Sequence, residues 1–110
     1  MKVVILPEIL DYLDELAIIL YEKEYFGFLE TSSNYFKELL KEIKTTLPTK
    51  SKKPAPKYFT DRYGKGLYYA TFKKNRRTQW YAFFIIYQMG GETYYQIRHI
   101  ENNHTAAQYL

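Results

Sequence analysis

Gly90–Gly91 separates two runs rich in aromatic and β-branched residues, Gln79–Met89 and Glu92–Ile100. Paired glycines in that setting signal a two-residue hairpin, whose favoured turns need positive φ at both central positions. Counting outwards from the turn fixes a register. Met89 pairs with Glu92, then Tyr87 with Tyr94, Ile85 with Gln96 and Phe83 with Arg98, all on one face. Ile86–Tyr95, Phe84–Ile97 and Ala82–His99 fall on the other face, which is more apolar and is expected to carry helices. The first face, aromatic and polar, is a candidate working surface. A slip of one residue would exchange the two. The first run is apolar on both parities, as in a central strand covered on both sides.

The N-terminal half has a different period. Lys2–Leu6 reads as a short strand. Pro7 suits a first helical position and Glu8 suits the positive end of a helix. Ile9, Leu13, Leu16 and Leu20 follow at helical spacing, with Asp11, Asp14, Glu15 and Glu22 on the opposite face. Ile18 falls on that outer face as an exposed apolar residue. This helix is expected to end near Phe26, with Gly27 as its stop. A second helix is expected from Thr31–Ser33, with Phe36, Leu39, Leu40, Ile43 and Leu47 as its apolar stripe and Pro48 as its end. So short a connection makes the two helices antiparallel neighbours. Lys50–Pro56 reads as an extended, solvated connector. Gly66–Phe72 reads as a third tyrosine-rich strand, and a short helix capped by Asn103 as the C-terminal element.

The result is an α+β domain over residues 1–110: an N-terminal strand, two antiparallel helices packed on an antiparallel sheet, and a short C-terminal helix. The 110 residues suit one domain. With no cysteine there is no disulfide framework or thiolate metal site. No apolar run is long enough to span a membrane, so a cytoplasmic protein without membrane contact is expected.

Charge is segregated along the chain. Residues 1–49 carry nine acids and five bases, whereas residues 50–110 carry three acids and eleven bases. Asymmetry of this kind speaks about partners rather than fold. Between Lys50 and Arg77, Asp61 is the lone acid among ten lysines and arginines interleaved with Tyr58, Phe59, Tyr63, Tyr68, Tyr69 and Phe72. Cations neutralise phosphates and exposed rings stack on bases, a mixture suited to RNA. Lys52, Lys53, Lys57, Arg62, Lys65, Lys73, Lys74 and Arg76 are the expected RNA-binding residues. Arg98 is the lone cation of the last strand. It either binds a scissile phosphate and its transition-state charge or pairs with Glu101 or Glu92. His99 and His104 are the only histidines, the type suited to acid–base work near neutrality. His99, on the helix side of the register, reads as structural, and His104 as a candidate acid. No nucleophile elbow, phosphate-cradling glycine loop, dinucleotide fingerprint or metal-ligand spacing is present, and no cofactor is expected.

The order strand, helix, helix, basic connector, three antiparallel strands and short helix, with the stretches Trp80–Phe84 and Ile97–His104 (Arg98-His99, then Asn102-Asn103-His104), resembles the RelE/ParE family of bacterial type II toxin–antitoxin toxins. The resemblance spans nearly the whole chain and is nearest to RelE-like members. It implies a microbial-ribonuclease-like α+β domain that cuts mRNA on the ribosome by 2′-hydroxyl attack and is neutralised by a cognate antitoxin. It further implies that Arg98 matches the basic residue of the last strand. Arg77, with Lys73, Lys74 and Arg76, lies where family basic residues lie, and His104 or Tyr109 stands near the C-terminal acid. The family's arginine early in the third strand is replaced here by Trp80 and Tyr81, with Arg77 just before. The alternatives are therefore a ParE-like toxin that inhibits DNA gyrase without nuclease chemistry, or a domain that only binds RNA or a partner.

Overall fold

The computed structural model describes residues 1–110. Lys2–Ile5 (β1) leads into Pro7–Glu22 (α1), and Leu29–Thr46 (α2) follows after a short turn. Next come Lys53–Pro54 (β2), Lys57–Tyr63 (α3), Tyr68–Lys73 (β3), Gln79–Met89 (β4), Glu92–Asn102 (β5) and Asn103–Ala106 (α4). One sheet contains all five strands in the order β1-β5-β4-β3-β2. The α+β layout is as the sequence indicates, but the sheet is mixed: β1 lies parallel to β5, pairing Val3 with Tyr95 and Ile5 with Ile97. No helix is long and apolar enough to cross a membrane.

Pro7 and Glu8 open α1 as their chemistry requires. Its end comes earlier than Gly27. Glu24 takes the left-handed conformation, φ 64°, while the amides of Glu24 and Tyr25 donate to the carbonyls of Tyr21 and Leu20. This pair of bonds satisfies the orphaned carbonyls of the last turn without a glycine. α2 starts at Leu29, two residues before the expected capping cluster. Ser32 is wholly buried, and its hydroxyl donates to the Ala17 carbonyl at 2.7 Å. With Leu40 and Leu10 lining the same inter-helix groove, that bond sets α2 antiparallel to α1. A 3-10 turn at Leu47–Thr49 ends α2, with Pro48 inside it.

Both helices cover one face of the sheet. Leu39, Ile43 and Leu47 meet Phe72, Phe84, Ile97 and Ile100 there, all at 2% exposure or less. Trp80 joins this core, and its indole N–H donates to the Tyr35 hydroxyl at 2.8 Å. Such a bond is what allows an indole to be buried.

The hairpin register holds from Met89–Glu92 through Phe84–Ile97, with Gly90 and Gly91 at φ 59° and 77°. Beyond that point it changes. Phe83 pairs with His99 and Ala82 with Ile100, so Arg98 is an extra residue with no partner in β4. This is a β-bulge, which re-aims a side chain and turns the following residues over. The expected Phe83–Arg98 and Ala82–His99 pairs are thereby replaced, and His99 leaves the helix side for the opposite face.

That opposite face is not an open platform. α3 and α4 cover its middle, where Phe59, Leu67 and Ala106 pack on Tyr81 and Phe83 as a second, smaller core. The expected connector is exposed from Ser51 to Pro54 but is not without structure. It contains β2, which pairs with β3 (Lys53 with Tyr69), and it leads directly into α3.

Candidate functional site

α3 is seven residues long, starts after Pro56 and stops at Gly64, whose φ of 122° belongs to glycine. Its inner residues, Phe59 and Tyr63, are four apart and therefore share a face. Phe59 stacks on Phe83 at 4.3 Å between centroids, and Tyr63 stacks on the His99 imidazole at 4.2 Å. Between α3, the end of β1 and the bulge lies an open cleft of about 790 Å³. Arg98, Lys57, Arg62 and Lys65 reach it, opposed by Glu8 and Asp61.

Arg98 is the centre of this cleft because it is unpaired. It forms no ion pair: Glu92 binds the N-terminal ammonium at 2.8 Å, Glu101 binds His99 at 2.7 Å, and Glu8 lines the same cleft without meeting it. Asp61 is occupied by Lys57 at 3.0 Å. The Arg98 Nε is fully buried without a hydrogen-bond partner. A buried donor left empty costs about 1–3 kcal/mol and calls for an explanation. The terminal nitrogens of the guanidinium are not buried in this way and are the part that can take an anion.

Behind Tyr63 sits a second feature, which the unbulged register hides. His99 and Glu101 are two apart on β5, so both point to the same face, and the Nε2 of His99 meets Oε1 of Glu101. An ionised carboxylate only accepts, so Nε2 carries the proton and Nδ1 is the free acceptor. Tyr12 and Phe83 close the ring's surroundings, with centroids 5.7 and 5.9 Å away. Burial in this aromatic cage holds His99 below its ordinary value, while the bond to Glu101 and its charge pull the other way. The imidazole is thus neutral at neutral pH, with Nδ1 unprotonated. The Tyr12 hydroxyl, buried and near the Glu101 charge, is pushed up to about 12. Tyr63 is raised for the same two reasons. Both phenols stay protonated. In sequence, the trace of this pair is the three-residue spacing of Ile97 and Ile100, which strict alternation forbids.

The other expected residues lie elsewhere. Arg62 rests on the Tyr58 ring at 3.6 Å, and Tyr109 stacks on the same ring at 3.5 Å. Two groups that close to one centroid must occupy opposite faces, so Tyr58 is sandwiched and Tyr109 pins the C-terminus to α3. Lys52 reaches the Tyr68 ring on the helix side, whereas Lys53 borders a groove floored by Tyr69 and Tyr81. Lys73, Lys74, Arg76 and Arg77 sit on or beside the β3–β4 turn, and none lines the Arg98 cleft. His104 faces that turn, in a pocket shared with Asn75 and Thr78. Of the four residues expected to be catalytic, Arg98 alone lines the cleft. Arg77 and His104 are near the turn, and Tyr109 is on the outer side of α3. Lys57, Arg62 and Lys65 are the expected RNA contacts that join Arg98.

Asn102 and Asn103 explain how the C-terminal end is held. The Asn102 side chain, rather than Asn103, caps α4 by accepting from the His104 and Thr105 amides. Asn103 accepts from the Gln79 amide and donates to the Arg77 carbonyl, tying α4 to the β3–β4 turn. Compared with known proteins, the chain matches no family model, no curated protein and no solved structure.

Proposed function

We propose that this protein is a RelE-like toxin, an endoribonuclease that cuts mRNA on the ribosome, with the cleft around Arg98 as its active site. The observation that carries the reading is the Arg98 guanidinium, without an ion pair, in a cleft with Lys57, Arg62 and Lys65, one residue from the half-buried His99–Glu101 pair. Cationic clefts bind phosphodiesters, and a neutral imidazole backed by a carboxylate is a base suited to neutral pH.

In the proposed step the 2′-hydroxyl oxygen attacks the adjacent phosphorus and the bond from phosphorus to the 5′ oxygen breaks. The products are a 2′,3′-cyclic phosphate and a 5′-hydroxyl end. With Tyr63 displaced from its stack, Nδ1 of His99 accepts the 2′ proton, and Glu101 stabilises the imidazolium that forms. Arg98 takes the extra negative charge on the non-bridging oxygens. Water in the open cleft protonates the departing oxygen. The cations outside the cleft, on β2 and at the β3–β4 turn, lie along ribosomal RNA. A cognate antitoxin with an acidic segment neutralises the basic surface, and the site needs no metal or cofactor.

Induction in a bacterial host followed by primer extension of cellular transcripts tests this. The expected result is growth arrest with cuts in register with codons. Arg98→Ala should lower cleavage about 10²–10³-fold while the domain stays folded. Arrest with intact transcripts and DNA-damage signalling would favour gyrase inhibition instead. Undiminished cutting by the variant would remove Arg98 from the mechanism.

A further inference from the structure

Another pocket, of about 460 Å³, opens at the start of β4, between the α1–α2 connection, α4 and the β3–β4 turn. Its volume falls within the ~300–1,000 Å³ range of small-molecule sites. Tyr25, Phe26 and Tyr35 give it aromatic walls, while Asn75, Thr78 and His104 bring an amide, a hydroxyl and an imidazole to its rim. No carboxylate lines it. Tyr25 and Phe28, on the connection beside it, are more than 70% exposed, an unusual amount for aromatic residues with no role.

Cations lie on or beside the adjoining β3–β4 turn, none of them in the pocket lining itself. The Lys74 ammonium lies over the Tyr35 ring at 5.4 Å, and Lys73, Arg76 and Arg77 are exposed on the same turn. None of the four is paired with an acid. The turn carrying them is held rigidly: the Asn75 side chain accepts from the Arg77 and Thr78 amides, and Asn103 holds the Arg77 carbonyl. Such preorganisation lowers the cost of binding. Flat rings, hydrogen-bonding groups for a heterocycle's edge and adjacent unpaired cations together match one chemistry, a base bearing its own phosphate.

We infer that this pocket takes one unstacked base of single-stranded RNA and that the Lys73–Arg77 turn holds that nucleotide's phosphate. The inference rests on the protein acting on RNA and adds a recognition subsite remote from the Arg98 cleft. His104 is then a base-contacting residue.

Trp80 is the single tryptophan and lies at the floor of this pocket, so its emission reports occupancy. Full-length protein is titrated with AMP or UMP and, separately, with ribose 5-phosphate. Saturable quenching by a mononucleotide, with a much weaker response to ribose 5-phosphate, is the expected result. Tyr25→Ala should weaken the mononucleotide about tenfold, the usual scale of one lost stacking partner. His104→Ala serves as the second variant, and circular dichroism checks both folds. Equal responses to ribose 5-phosphate and AMP would leave only a cationic patch and overturn the inference. Quenching by an acidic peptide bearing phenylalanine, with none by nucleotides, would make the pocket a protein-docking groove and overturn it too. Loss of quenching in Arg98→Ala would place the nucleotide in the cleft instead. Quenching without any RNA cleavage would leave the pocket standing and remove the nuclease reading; cleavage without quenching would do the reverse.

Discussion

The sheet face under α1 and α2 is closed by fifteen buried residues, nearly all aliphatic or fully apolar aromatic; the face under α3 and α4 is closed by five. Beside the larger core the buried Ser32 hydroxyl has its bond satisfied by the Ala17 carbonyl. Against the smaller one lie Arg98 with its unpartnered Nε, the His99–Glu101 pair and the raised Tyr63. One layer therefore holds the fold and the other holds unsatisfied chemistry. A two-turn helix is enough to exclude water from an imidazole and still leave a cleft open at its side.

Matched truncations give the sharpest contrast. Phe72 and Phe59 are both fully buried, one on each face. Phe72→Ala should cost about 3–5 kcal/mol of global stability, the range for a phenylalanine removed from a well-packed core. Phe59→Ala should cost roughly half as much, because α3 can detach while the main core stays closed, a local opening of the kind small peripheral units show. Urea unfolding gives both values. Equal losses would mean that the two layers form one cooperative unit.

The next effect depends on pH and belongs to the smaller layer. Folding lowers the proton affinity of His99 through burial. As pH falls through about 6.5, the unfolded chain takes up a proton that the folded chain does not, so stability declines until the folded value is reached. Above that window the stability is fully present. The urea midpoint should therefore fall between pH ~6.5 and ~5, before most carboxylates titrate. His99→Gln should flatten this limb. An unchanged limb would show that His99 is solvated, and the site would lose its buried base.

The larger layer was more legible in the sequence than the smaller one, for physical reasons. The stripes from Ile9 to Leu20 and from Phe36 to Leu47 repeat at helical spacing over about three turns each, so their faces can be assigned. Gly90–Gly91 gave a fixed origin from which pairing could be counted as far as Ile97. The stop of α1 was misplaced because hydrogen bonds to Leu20 and Tyr21 let Glu24 take the conformation expected of Gly27. α3 escaped notice because seven residues show barely one repeat, although Phe59 and Tyr63 between Pro56 and Gly64 carry its outline. The parallel place of β1 has no local signature, since the four residues Lys2–Ile5 pair with a strand some ninety positions away. The cationic stretch looked continuous in sequence, but α3 turns Lys57, Arg62 and Lys65 towards one cleft while the β3–β4 turn carries the others to another end.

The smallest expected change in stability comes from removing Arg98 altogether, and it separates the two layers most cleanly. Arg98 is the extra residue of the bulge, so deleting it restores strict alternation: Ile97 and Ile100 keep facing the main core, and His99 and Glu101 keep facing α3. The β1 ladder ends at Ile97 and is untouched. Stability should stay within ~1 kcal/mol of the parent, as for a surface bulge, while the proposed phosphate contact in the cleft is lost with the guanidinium. Deleting Gln96 instead brings Arg98 opposite Phe84 and turns it into the main core, which should unfold the domain through a buried unpaired charge. If the Arg98 deletion unfolds the protein as the Gln96 deletion does, the bulge is a structural requirement of the sheet, and the cleft is its by-product rather than a site kept at the edge of a finished fold.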